Sequence, residues 1–152
     1  IGVAAVADWR VKTPSDTKLK KAANAAPPRL EMSENTDILK YVSSAQNRPA
    51  LVIGFAAETG NLMDKAKAKL KSKGCDWLLA NDVTNTNNIF GSDENHVNLI
   101  KSEKNNEFSC EEWPRLSKKE VALRLAHEIA NKFKRCEREG KDDKNLNLIS
   151  TK

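Results

Sequence analysis

The sequence predicts an α/β fold with a mainly parallel sheet and a C-terminal antiparallel hairpin. Three observations carry this. Runs dominated by apolar residues at 1–7, 50–56 and 76–80 have strand length and little alternation, the pattern of strands buried on both faces. Helical patterns lie between the later runs, so strands and helices alternate. A polar Asn105-Asn106 turn then separates two further strand candidates.

Taken in order, Ile1 to Ala7 is the first strand. Asp8 to Pro28 lacks periodicity and carries Pro14, Pro27 and Pro28, so it is expected to be a long mobile loop. Arg29 to Met32 reads as a short strand. Asn35 is suited to N-cap a helix from about Thr36 to Gln46, which ends before Pro49. Ala50 to Ala56 is the second buried strand. Asn61 can cap the next helix, Leu62 to about Ser72, and Gly74 stops it. Asp76 to Ala80 is the third strand, followed by an Asn-rich loop from Asn81 to Asp93. Asn95 to Ile100 and Glu107 to Cys110 form the hairpin. Ser117 to Cys136 is the clearest helix: Ser117 and Glu120 make a capping box. Val121, Ala122, Leu125, Ala126, Ile129 and Phe133 make its core-facing stripe. From Glu137 to Lys152 the chain is polar and expected to be disordered. The division is therefore a domain over 1–136 and a tail over 137–152. There is no repeat at solenoid spacing.

Composition narrows the function classes. At 152 residues and 16.9 kDa the chain is one domain or part of one. Ile1 opens directly on a strand, so the N-terminal part of the domain is expected to be missing. No apolar run approaches bilayer-spanning length, and no signal-peptide pattern is present. Cys75, Cys110 and Cys136 are odd in number and lack metal-ligand spacing, which fits a reducing, cytoplasmic compartment. His96 and His127 lie in different elements, against a histidine zinc site. Neither a Gly-rich phosphate loop nor a nucleophile elbow occurs.

The net charge of +5 is concentrated. Five basic residues oppose Asp16 between Arg10 and Lys21, and five lysines oppose Asp64 between Asp64 and Lys73, leaving the remainder net negative. Two such fields suit a compact polyanion such as a nucleoside triphosphate, or are two solvated lysine faces. Few aromatics accompany them, which disfavours a basic RNA-binding domain.

Individual residues leave alternatives open. Asp8 lies where the first strand ends, the end at which open α/β sheets place ligands, and either binds a metal–triphosphate or caps a turn. Lys18, Lys20 and Lys21 either close over a triphosphate or stay solvated. Lys65, Lys69 and Lys73, spaced four apart, form one helix stripe that contacts phosphates or is tolerated surface. Phe55, after Gly54 at a strand end, reaches a base or fills the core. Glu58 caps the following turn or holds a metal.

In order along the chain, the stretches IGVAAVADWR, KLKK, NTDI, GFAAET, ANDV and FGSDEN resemble the C-terminal part of the bacterial phosphopantothenoylcysteine synthetases. These CTP-dependent ligases of coenzyme A biosynthesis are the synthetase domain of the bifunctional DNA/pantothenate metabolism flavoproteins. The resemblance implies a Rossmann-like three-layer sandwich and a ligase that joins 4′-phosphopantothenate to L-cysteine through an acyl-cytidylate, releasing pyrophosphate and then CMP. It implies nucleotide contacts from Gly2, Val3, Ala4, Asp8, Lys18, Thr36, Asp37, Ile38, Leu39, Phe55, Lys69 and Lys73. Lys18 is the implied catalytic residue and Asp8 the implied Mg2+ ligand. The Lys-x-Lys-Lys loop favours CTP over ATP. Thr36 departs from the family, which usually has Pro there. A homodimer is implied, with the hairpin and the Asn81–Asn95 loop as contact surfaces. So is a fused or separate N-terminal half and a flavin-dependent decarboxylase; no flavin-domain residues occur in this chain. This segment alone is expected to be inactive. The alternative is a non-catalytic nucleotide-binding or dimerisation module.

Overall fold

The computed structural model describes residues 1–3, 6–20, 29–83 and 93–149. Its elements in chain order are β1 (Trp9–Val11), β2 (Met32–Glu34), α1 (Ile38–Ser44), β3 (Ile53–Glu58), α2 (Leu62–Lys73) and β4 (Trp77–Asp82). There follow β5 (Glu94–Asn95), β6 (Val97–Ser102), β7 (Phe108–Glu112), β8 (Leu116–Ser117) and α3 (Lys118–Ile149). The central sheet runs in the order β3-β4-β6-β7, and β1-β2 and β5-β8 form two small antiparallel pairs.

The sheet is mixed rather than mainly parallel. Within the four-stranded sheet β3 and β4 pair in parallel, through the α2 crossover, whereas β4–β6 and β6–β7 are antiparallel. A connection as short as that between β6 and β7 can only join antiparallel strands. Asn105 and Asn106 make it at φ of 63° and 60°, a left-handed backbone that asparagine tolerates better than most residues.

Strand alternation splits the core into two. On one face Ala56, Leu78, Ala80 and Ile100 pack against Ala66 and Leu70 of α2, with Leu39 and Val42 of α1 alongside. On the other, Ile53, Trp77, Leu79, Val97 and Leu99 pack with Trp113 and with Val121 and Leu125 of α3. Helices thus cover both faces. Fully burying a Leu or Ile of this kind stabilises by about 1.5–3 kcal/mol relative to exposure, so β4, apolar on both faces, is the spine.

Several expectations are corrected. The 1–7 segment is not a doubly buried strand: Gly2 forms an isolated parallel bridge to Gly54, while Ile1, Val3 and Val6 are 69%, 65% and 52% exposed. It lies beyond β3 at the sheet edge, where among the described residues no layer covers those side chains. The stretch after Asp8 is not all loop, because β1 pairs β2 with Val11 opposite Met32; residues 21–28 lie outside the described residues. Asp37, not Asn35, caps α1: its side chain accepts from the Lys40 N–H. Asn35 is occupied elsewhere, donating to the Ala7 carbonyl and accepting from Arg10. Asn61 holds the N-cap position of α2 but donates to Asp64 instead of capping the backbone. Gly74, at φ 67°, ends that helix in the expected left-handed cap. The Asn-rich loop starts later than Asn81, since Asn81 and Asp82 belong to β4; residues 84–92 lie outside the described residues.

The Ser117–Glu120 capping box forms, with the Glu120 N–H donating to Ser117 Oγ and Ser117 N–H to Glu120 Oε2. Of the predicted α3 stripe, Val121 and Leu125 are buried and Ile129 is half-buried, while Ala122, Ala126 and Phe133 are exposed. The sheet is narrower than the stripe and touches only one i, i+4, i+8 row. Beyond Cys136 the helix continues to Ile149, where disorder was expected. The segment contains no proline, so nothing in its backbone forces a stop.

Candidate functional site

Four chain segments converge beside the N-terminal half of β3. The Gly2 bridge and the N–H of Gly2, which donates to the Ile53 carbonyl at 2.8 Å, set the 1–7 segment against the strand. Gly54 lets α1 approach: a Cβ there would lie 2.6 Å from Leu39 Cδ2 and 3.1 Å from Leu78 Cδ1. Asn35 ties β2 back to the first segment, its N–H donating to the Asp8 carbonyl at 2.8 Å and its side-chain amide to the Ala7 carbonyl at 2.7 Å. Between these segments lies an open cleft of about 1090 Å³, just above the roughly 300–1,000 Å³ typical of small-molecule sites.

The α2 lysines are the informative part. Lys65 donates to the Thr59 carbonyl, Lys69 pairs with Glu58 Oε1 at 3.0 Å, and Lys73 pairs with Asp37 Oδ2. The stripe is therefore a ladder of paired cations rather than free surface charge, which relieves the repulsion expected at i, i+4 spacing. Lys69 and Lys73 line the cleft, whereas Glu58 and Lys65 do not. Asp37 links two elements, capping α1 through Oδ1 and holding Lys73 through Oδ2. Burial works against its charge, but the Lys73 ammonium and the Lys40 N–H outweigh this and hold the carboxyl below its usual value of 3.8. Asp8, Glu34 and Asp37 share the lining with Lys69 and Lys73, so the formal balance of its side chains is slightly negative.

A family profile described as the DNA/pantothenate metabolism flavoprotein C-terminal domain matches residues 1–133. The chain belongs to that family. It is 35% identical over 135 residues to the coenzyme A biosynthesis bifunctional protein CoaBC of Haemophilus influenzae, covering 89% of this chain and 32% of that protein. The Bacillus subtilis CoaBC is 35% identical over 130 residues, with 86% and 30% covered. The crystal structure of a C-terminal domain of CoaBC superposes with a TM-score of 0.59 at 31% identity, over 86% of this chain and 52% of the other. The chain spans about a third of the length of these curated relatives.

Within this flavoprotein-family domain, the cleft gathers Gly2, Val3, Asp8, Thr36, Asp37, Ile38, Leu39, Phe55, Lys69 and Lys73 of the residues singled out in the sequence. Ala4 lies outside the described residues. Lys18 is exposed and does not line the cleft. Phe55 is half-buried, packing beside the α3-side core and lining the cleft. Two participants were not recognised in the sequence as such. In sequence Asn35 reads as a helix cap, and the fold instead brings it to the Ala7 and Asp8 carbonyls. Glu58 had no local signal, because its partner lies 11 residues on. Among the described residues no group of three His, Cys, Asp or Glu could hold a metal. The cleft lining carries the carboxylates of Asp8, Glu34 and Asp37, and Mg2+ commonly takes one or two carboxylates plus phosphate oxygens. Cys75 is buried, which pushes its thiol up to about 11 and argues against nucleophilic use.

Proposed function

We propose that the cleft is one wall of the CTP site of a phosphopantothenate–cysteine ligase. What supports this reading is that residues scattered from Gly2 to Lys73 in sequence, matching the synthetase motifs, line one cavity. In the proposed reaction a carboxylate oxygen of 4′-phosphopantothenate attacks the α-phosphorus of CTP. The bond to pyrophosphate breaks, and the acyl-cytidylate forms. The cysteine amine then attacks the acyl carbon, CMP leaves and the amide remains after proton loss. Both displacements move negative charge onto phosphate oxygens, so positioned cations are the chief requirement.

Each residue has a defined task in this reading. Lys69 and Lys73 donate to triphosphate oxygens, and their carboxylate partners fix where they can reach. Phe55 offers an apolar wall to the base, and the backbone at Thr36 to Leu39 offers polar groups to the nucleoside. Asp8 would hold magnesium, whose role is to neutralise phosphate charge. The slightly negative lining favours a metal–nucleotide complex over the free tetra-anion. Lys18 would reach the phosphates by closure of the segment after β1.

One observation favours the second reading, a nucleotide-binding or dimerisation module without catalysis: Lys18, the proposed catalytic cation, lies outside the cleft. A nucleotide panel with and without Mg2+, followed by thermal shift, tests the site. Stabilisation selective for Mg–CTP is expected, and no response to any nucleotide refutes it. Amide formation from CTP, phosphopantothenate and cysteine by residues 1–152 then separates the ligase from the module.

A further inference from the structure

Glu58 closes β3 with its side chain 19% exposed and holds the Lys69 ammonium at 3.0 Å. We propose that Glu58 is a positioning residue, aiming Lys69 at the phosphates of a nucleotide in the cleft; this rests on the nucleotide reading above. The geometry divides the labour. Lys69 lines the cavity and Glu58 does not, so the carboxylate engages the ammonium without forming part of the cavity wall. An ammonium has three N–H donors, and one bond to Glu58 leaves the others for phosphate oxygens. Lysine carries a long flexible stem, and an unpaired one would have to be frozen when it gripped a ligand. The ion pair spends that ordering during folding instead.

Glu58 is itself well anchored. It stands opposite Asp82 in the β3–β4 ladder, and its carbonyl accepts from the Val83 N–H at 2.9 Å. The adjacent Lys65 shows what a purely structural lysine does here: it closes the β3–α2 turn on the Thr59 carbonyl and stays out of the cleft. A partly exposed ion pair contributes little to global stability. The Glu58–Lys69 pair is therefore better explained by what Lys69 faces than by what it holds together.

The test uses the whole chain with Mg–CTP as probe, and Glu58→Ala, Glu58→Gln, Lys69→Ala and the double substitution Glu58→Ala/Lys69→Ala. Calorimetry is expected to show about tenfold weaker binding for Glu58→Ala, the order of one charge-assisted hydrogen bond. Glu58→Gln, which keeps an acceptor oxygen, should restore affinity to within about threefold. In the Lys69→Ala background, Glu58→Ala should change nothing further, because its effect passes through that ammonium. By NMR without nucleotide, the two Lys69 ε-protons should be inequivalent in the unsubstituted chain and in Glu58→Gln, and merge in Glu58→Ala. Unchanged affinity in Glu58→Ala, or the same loss with Lys69 already absent, overturns the positioning role. An unsubstituted chain that binds no nucleotide while its Lys69 ε-protons stay inequivalent overturns the nucleotide reading, and with it the purpose assigned to the pair.

Discussion

Asp37 offers the sharpest test of how the cleft is held together, because one carboxylate performs two separable tasks. Its Oδ1 accepts the Lys40 N–H at the start of α1, and its Oδ2 pairs with Lys73 of α2. Asparagine caps helices about as well as aspartate, so Asp37→Asn removes the charge and keeps the cap, whereas Asp37→Ala removes both. Losing the cap costs about 1 kcal/mol. The ion pair is partly exposed on both sides, with side chains 36% and 26% accessible, so solvent screening limits it to about 0.5 kcal/mol. Asp37→Ala should therefore lower stability at pH 7 by about 1.5 kcal/mol and Tm by roughly 3–6 °C, and Asp37→Asn by about 0.5 kcal/mol. The pH dependence has a fixed sign. The folded-state pKa lies below 3.8, so the unfolded chain binds the proton more readily. The charge-dependent stability is fully present above 3.8 and is lost as pH falls through the folded value. Urea denaturation of the three proteins from pH 7 to pH 2 checks this. A gap between wild type and Asp37→Asn that persists unchanged at the acid end would refute the reasoning, as would equal stability of Asp37→Ala and wild type at pH 7.

Two further outcomes follow from packing. Gly54→Ala places a methyl 2.6 Å from Leu39 Cδ2 and 3.1 Å from Leu78 Cδ1, and should cost about 1–3 kcal/mol by overpacking; combining it with Leu39→Ala should recover part of that in thermal melts. Cys75 is buried, with its thiol pushed up to about 11, whereas Cys110 is exposed. In a Cys136→Ser background at pH 8, a maleimide should therefore label Cys110 at least tenfold faster by peptide mass mapping, and equal rates would contradict the packing of the β3–β4 core.

The sequence by itself determined what is local. Apolar runs located β3 and β4, the helical pattern with Gly74 located α2, the Asn-Asn turn located the hairpin, and Ser117 with Glu120 located the start of α3, because each depends on neighbours within a turn or a strand. Six short motifs in order also carried the family. Tertiary structure decided everything that requires distant partners. Whether β6 runs with or against β4 is set by the sheet, not by either strand's pattern. Ile1, Val3 and Val6 look like core in sequence and lie exposed, because burial depends on what packs over a strand. Asn35 and Asp37 are equally good caps in isolation, and the hydrogen bonds from Asn35 to the first segment decide between them. The three stripe lysines of α2, Lys65, Lys69 and Lys73, read identically at four-residue spacing. Their partners, a turn carbonyl, Glu58 and Asp37, come from separate elements, and those partners put two of the lysines in the cleft and keep the third out.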